Sequence, residues 1–207
     1  MENSRVKVLA IDSVSPAPSL ALVEDQGGAF EVLEEEALPA AAAESIAPRV
    51  VALLERRGLG ASDLDKIAAL SGPGSFTGLR SGAAFARGLA RSVSRPLVAV
   101  TTFEAASALF PEPRDTVFLL DAGRGDVHRA RRAGASSATL AEEARPVSRA
   151  EVLHQAGESG ALVVDLDVER LLLAAAAGRI AASREDPASF RPVYGRVSAA
   201  EEKMEGR

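Results

Sequence analysis

The 207-residue sequence predicts an α/β protein of two similar halves, each a mixed sheet flanked by helices. Three observations predict it. Two apolar strand patterns, Val6–Asp12 and Thr116–Asp121, each end in an aspartate, and this echo implies a duplicated core. A third apolar run, Ile67–Leu70, passes through a glycine-rich turn into a small-residue helix from about Thr77 to Ser92, which is a strand–turn–helix unit. Between the two aspartate strands stands Pro111-Glu112-Pro113. It divides the chain into residues 1–110, residues 111–198 and a charged tail, 199–207, expected to be disordered.

Composition narrows the chemistry. A chain this long buries roughly 70% of its unfolded surface and needs no staples. With no Cys, disulfides, thiolate zinc sites and cysteine catalysis are excluded, and two histidines, His128 and His154, leave little for a metal site. A net charge of −5 argues against strong nonspecific nucleic-acid binding but leaves room for a local basic patch. No charged-then-apolar leader is visible, and no apolar run approaches the ~20 residues of a membrane span. A soluble, cytoplasmic protein is expected.

Along the chain, Val6–Asp12 reads as a buried strand, Ser13–Pro18 as a turn and Ser19–Val23 as the next strand. A hairpin turn at Gln26-Gly27-Gly28 leads to a third strand, Phe30–Leu38. Ala40–Arg57 reads as a helix stopped by Gly58, with Pro48 kinking it or marking a late start. Its apolar residues cover an arc of about 160°, against roughly 100° for one core contact, which predicts a second apolar contact. Ser62–Asp65 is a short helical turn before the strand Lys66–Leu70.

In the helix that follows the glycine turn, Leu79, Ala83, Ala86, Ala90 and Val93 share one face, flanked by Gly78, Gly82, Phe85 and Leu89. Its glycines cost up to ~1 kcal/mol each relative to Ala, which close approach of another element would offset. Arg80, Arg87 and Arg91 fall within about 40° of one another. Their simplest role is a solvated face; otherwise they meet an acidic partner or RNA phosphate. Pro96–Thr101 is a strand and Thr102–Leu109 a short helix. In the second half come a strand Val127–Arg131, a capping box at Ser148–Glu151 starting a helix to about Gln155, a strand Ala161–Asp165 and a helix Val168–Ala182.

The candidate site is the turn Ser71-Gly72-Pro73-Gly74-Ser75-Phe76-Thr77-Gly78-Leu79-Arg80, where Ser75 or Thr77 can cap the helix. A strand, a glycine turn and a helix N-terminus form a plausible anion cradle. The nucleotide motifs fail, however. Leu79-Arg80 stands where a phosphate-binding Lys-Ser/Thr pair belongs, and Gly72, Gly74 and Gly78 are spaced G-x-G-x-x-x-G. A structural turn that packs a helix against a sheet is the favoured reading.

Ser71–Arg80, continuing through Ser81-Gly82 and on to Arg95–Thr102, resembles the signature of the TsaB (YeaZ) family, which serves synthesis of threonylcarbamoyladenosine in tRNA. The strand-to-Asp opening also resembles the actin-like ATPase and sugar-kinase superfold, so the resemblance implies two actin-like subdomains. Asp12 and Ser13, with Asp121 and Gly123 in the Asp121–Asp126 segment, are its weak candidates for phosphate contact. Ser13-Val14-Ser15-Pro16 departs from the superfold's Gly and Thr, which implies a degraded loop. Ala42–Pro48 lacks a His found in the family, whereas Arg191–Arg196 resembles the family's Pro-x-Tyr-x-Arg ending.

Relatives that perform the transfer carry paired histidines on a helix, and no His pair at i, i+4 exists here. The resemblance therefore implies a noncatalytic scaffold that supports a catalytic paralogue of the TsaD type in threonylcarbamoyl transfer to adenosine 37. A small ATPase of the TsaE type takes part. The chain would form a homodimer when alone and meet tRNA through the complex, with no tightly bound cofactor of its own, ATP being used by the complex. The implied partner surface comprises Ala47, Val50 and Val51 of the first helix and Gly78, Gly82, Ala83 and Ala86 of the second, with Val50 central and Leu53 inward. An active ATPase or small-molecule kinase is the alternative, and a peptidase a remote one.

Overall fold

The computed structural model describes residues 5–39, 46–111, 114–134, 140–142 and 145–184. Most of the stretch that lacks the family His, the Arg191–Arg196 ending and the charged tail lie outside them. In the first half, β1 (Arg5–Asp12), β2 (Ser19–Gln26) and β3 (Phe30–Ala37) are antiparallel neighbours. On the other side of β1, β4 (Lys66–Leu70) and β5 (Leu97–Val100) add in parallel, giving the order β3-β2-β1-β4-β5. The second sheet repeats this plan: β6 (Thr116–Gly123), β7 (Asp126–Arg132) and β8 (Leu140–Glu142) are antiparallel, and β10 (Leu162–Asp165) runs parallel to β6. A short β9 (Val147–Ser148) pairs with β7. The two aspartates that end apolar strands thus occupy β1 and β6, the corresponding strands of the two sheets.

Alternation along the strands sorts the core into layers. Leu9 and Ile11 of β1 face α1 (Ile46–Glu55) and α2 (Phe76–Ser92), meeting Ile46, Val50, Leu53, Ala83 and Ala86. Val8 and Ala10 face the opposite way, onto α3 (Thr102–Ala108) and α6 (Ala174–Ser183). Phe118, Leu120 and Ala130 of the second sheet close the same core from below, and Val117, Leu119 and Val127 on that sheet's far face cover α4 (Arg149–Ser159). The succession is helix, sheet, helix, sheet, helix.

The described part of the first helix is Ile46–Glu55, with Pro48 near its beginning. Two expectations change. No capping box forms at Ser148, whose side chain makes no cap bond; α4 runs on to Ser159 and ends at Gly160 in the left-handed region, φ 67°. The helix expected over Val168–Ala182 is two helices. α5 (Leu166–Glu169) is stopped by Arg170 at φ 49°, and Leu171 and Leu173 then enter the central core. α6, which follows Pro111 in sequence, packs on the first sheet.

Both ends of α6 are held by that sheet. Ser19 Oγ and Glu35 Oε1 accept from the amides of Ala174 and Ala175, 3.3 and 3.4 Å away, at the positive end of the helix dipole. At the other end Lys66 Nζ donates to the carbonyls of Ala181, Ala182 and Arg184 at 3.1, 2.9 and 2.7 Å. Lys66→Met keeps the aliphatic stem and orphans three carbonyls, so it should cost about 2 kcal/mol in urea denaturation. A loss below about 0.5 kcal/mol, within the range of neutral surface changes, would show that α6 is held by its apolar face alone.

Candidate functional site

The glycine turn is one half of an interlock whose other half is the loop after β1. Asp12 is fully buried. Its Oδ1 accepts from the amides of Val14 and Ser15, both at 3.0 Å, and its Oδ2 accepts from the Ser15 hydroxyl at 2.5 Å. Burial pushes this carboxyl up to about 6, against the pull of those three hydrogen bonds. Ser13, one residue on, turns away and donates from Oγ to the Gly78 carbonyl at 2.8 Å. The Ser75 amide donates to the Val14 carbonyl at 2.9 Å, and Ser75 Oγ caps α2 by accepting from the Gly78 amide at 3.2 Å.

The glycines are where they are because the two loops touch. A Cβ at Gly74, whose φ is +152°, would stand 2.3 Å from the Val14 carbonyl oxygen. At Gly78 it would stand 1.8 Å from the Ser13 carbonyl oxygen, and at Gly82 2.0 Å from Ser13 Oγ. From the other side, Thr102 locks Gly72 and Pro73. Its amide donates to the Gly72 carbonyl at 2.9 Å and its buried hydroxyl to the Pro73 carbonyl at 2.6 Å. Thr101 caps α3 in a reciprocal box with Glu104. The two stretches Ser71–Arg80 and Arg95–Thr102 therefore meet in space. The locking role of Thr102 was not foreseen from sequence, where it stood only as the end of the Arg95–Thr102 stretch and the first residue of a short helix.

The partner surface expected from sequence divides. Val50 is 3% exposed and packs in the core with Ile46, Leu53 and Leu54, so it is not central to any outer face. Gly78 is closed by Ser13, Gly82 is buried against it, and Ala83 and Ala86 lie under the first sheet. Their small size serves packing within the chain. Ala47 and Val51 are exposed, Val51 at 53%, as are Phe76, Thr77 and Arg80 at the start of α2. Phe76 holds the Arg80 guanidinium 5.4 Å from its ring centroid.

The second aspartate turn has a different character. Asp121 is exposed; its Oδ2 accepts from the Gly123 amide at 3.2 Å, and its own amide donates to Asp167 Oδ2 at 2.6 Å. Burial holds the Asp167 carboxyl above its usual range, and the neighbouring Asp165 and Asp121 charges push the same way. Arg149 pairs with Asp165 and lies 4.0 Å from Asp167. Asp121, Asp165 and Asp167 interact electrostatically and Arg149 offsets only the last two, a balance that repels a phosphate. Among the described residues no group of three His, Asp or Glu side chains is placed to hold a metal ion, and no helix is long and apolar enough to cross a membrane.

Comparison with known proteins bears on what this fold is for. Residues 36–161 match the family profile described as TsaD, tRNA N6-adenosine threonylcarbamoyltransferase. An uncharacterized protein of Mycobacterium tuberculosis is 35% identical over 60% of this chain and 58% of its own length. The tRNA threonylcarbamoyladenosine biosynthesis protein TsaB of Escherichia coli is 35% identical over 47% of this chain and 41% of its own. The chain thus spans about half the length of the curated relatives it matches. The structure of YeaZ from Pseudomonas aeruginosa superposes with a TM-score of 0.67 at 22% identity, covering 91% of this chain and 99% of that one, and the shared fold is actin-like. By the breadth of the profile match, the chain belongs to the tRNA threonylcarbamoyltransferase family, and within it to the TsaB (YeaZ) group.

Proposed function

We propose that this chain is a noncatalytic scaffold subunit in the transfer of a threonylcarbamoyl group to adenosine 37 of tRNA, working in the cytoplasm beside a catalytic paralogue of the TsaD type. The observation that carries this reading is the interlock of the two loops. In an actin-like enzyme the loop after β1 wraps a phosphate. Here the Asp12 carboxylate is engaged by its own turn, the Val14 carbonyl by Ser75, and the space beside Gly74 and Gly78 by backbone. The acidic second turn supports the same reading. ATP is then used elsewhere in the complex, by a small ATPase of the TsaE type, and this chain binds it weakly or not at all.

Reconstitution tests the proposal. Supplied with threonylcarbamoyl-adenylate as donor, the small ATPase and ATP, the catalytic paralogue with this chain should modify tRNA, and the same mixture without the paralogue should not. Calorimetry of the isolated chain with ATP and magnesium should give no micromolar or tighter dissociation constant. Transfer by the chain alone would overturn the scaffold reading, and tight ATP binding would put the kinase reading first.

The exposed outer edge of α1, Ala47 and Val51, is the proposed contact with the paralogue or, in its absence, with a second copy. Val51→Glu would bury an unpaired charge only in the pair, so association should weaken by several kcal/mol. The thermal midpoint of the monomer, measured at a concentration where wild type and variant are both unpaired, should move by a few degrees at most, because an exposed substitution stays within about 0.5 kcal/mol. Light scattering and pull-down measure the first effect and a melt the second. Undiminished pairing would remove α1 from the interface.

A further inference from the structure

The second sheet repeats the first up to one strand. Val117 pairs with Val163 of β10 as Leu9 pairs with Ile67 of β4, so β10 is the counterpart of β4. In the first half β4 is followed by α2, then by β5 along its outer edge, then by α3 in the central layer. In the second half only the four-residue α5 and a short link separate β10 from α6 in that same layer. Among the described residues no strand takes the place beside β10 that β5 takes beside β4. The Leu162 amide donates to the Asp115 carbonyl at 2.8 Å, toward β6. Alternation then turns the N–H and C=O of Val163 and the amide of Asp165 outward. Ile67, the counterpart of Val163, donates from its amide to the Pro96 carbonyl at 3.0 Å, just before β5.

Among the described residues this edge is also unguarded. The outer strand of the first sheet, β3, carries Glu31, Glu34, Glu35 and Glu36 and a shift of register, which deter a further strand. Leu162-Val163-Val164 has no charge, proline or bulge. α4 and α5, which pack against β10, leave Leu153 and Val168 exposed, at 44% and 72%. At the C-terminal end of β10, Asp121, Asp165, Asp167 and Glu169 outnumber Arg149 and Arg170. A strand parallel to β10 brings its own C-terminal end there, where a cation would be matched. A second copy, paired antiparallel about Val163, would bring Ser159, Gly160 and Ala161 instead, with Glu158 behind them.

We propose that the open edge of β10 is a docking site for another protein, which adds an extended apolar segment parallel to β10 and sets a basic residue against Asp165 and Asp167. The occupant takes the place that β5 fills in the first half. This site is separate from α1 and does not depend on the scaffold reading.

The probe is an end-blocked peptide, Pro-Leu-Val-Ala-Val-Lys-Lys, which copies Pro96 and β5 and adds two cations. Titrated into the isotope-labelled full chain, it should move the amide resonances of Val163 and Asp165, with a dissociation constant of about 1 mM or tighter. Hydrogen exchange of the Val163 amide should slow at least about fivefold at saturation. Replacing both lysines of the peptide by glutamates should weaken binding about fivefold, and N-methylating its strand amides should abolish it. Val163→Pro removes an outward N–H, where an edge strand tolerates proline, so the variant should keep its fold and lose the peptide. If Val163→Pro fails to fold, the N-methylated peptide decides the matter without touching the protein. Equal binding of the N-methylated peptide overturns the inference, as do shifts confined to residues away from β10, or none at about 5 mM peptide. A Val163 amide already protected without peptide also overturns it. Protection that falls on dilution would mean a second copy, and protection that does not would mean that the chain fills its own edge.

Discussion

Gly78→Ala should remove at least about 4 kcal/mol of stability, a large share of what a domain has. The residue lies inside α2, where Ala is ordinarily the better helix former by ~1 kcal/mol. That gain is overwhelmed because the new methyl would stand 1.8 Å from the Ser13 carbonyl oxygen, a backbone atom that no rotamer change can move. The loop after β1 would have to separate from α2, breaking the bond from Ser13 Oγ to the Gly78 carbonyl. Gly88 is the control: it sits in the same helix with nothing within 4 Å of its missing Cβ. Gly88→Ala should stabilise the protein by roughly 0.5–1 kcal/mol. Urea denaturation of both variants checks the pair. Similar small effects at the two positions would mean that the interlock yields to one methyl group.

Asp12→Asn should stabilise the protein at pH 8 by about 3 kcal/mol relative to its effect at pH 4. The folded state raises this carboxyl from 3.8 to about 6 because its charged form has been taken out of water. The folded protein therefore holds the proton more tightly than the unfolded chain. The favourable contribution is full below pH 4, falls as the pH rises through 6 and is absent above it. Asn presents the same carbonyl oxygen to the amides of Val14 and Ser15 and turns an amide toward Ser15 Oγ, with no charge to bury. Other groups act in the opposite direction, such as Glu36, which the Arg56 and Arg49 guanidiniums hold below its usual range. They cancel when variant and wild type are compared at each pH. A variant less stable than wild type at pH 8 would show that the carboxylate has a cationic partner in solution.

The central strands of the first sheet were legible because they are buried on both faces. Val8 to Ile11 and Ile67 to Leu70 read as unbroken apolar runs bounded by turn residues. The glycines of α2 announced a close approach, but periodicity cannot say what approaches. The answer, Ser13, is more than sixty positions away in the chain. The arc of α1 was also visible, but its edges were not. An arc wider than one contact has two rims, and the rotation that puts Val50 inside and Val51 outside is set by the sheet beneath. Arg170 is harder still. Val168–Ala182 keeps a helical composition throughout, and the break comes from a change of direction that carries Leu171 and Leu173 between the sheets. The raised carboxyl of Asp12 had no sequence signal beyond its position at a strand end.

The placement of α6 sets an order of events during synthesis. β1, β2, β4 and β5 leave the ribosome long before residues 174–183, yet the lower face of their sheet is covered largely by that helix. Until Ser183 has emerged, Val8, Ala10, Val23 and Ala68 have no lid, and the first half cannot close as an independent unit. Such a chain folds as a whole after most of it has been made, and its exposed underside in the meantime is a surface for chaperones to cover.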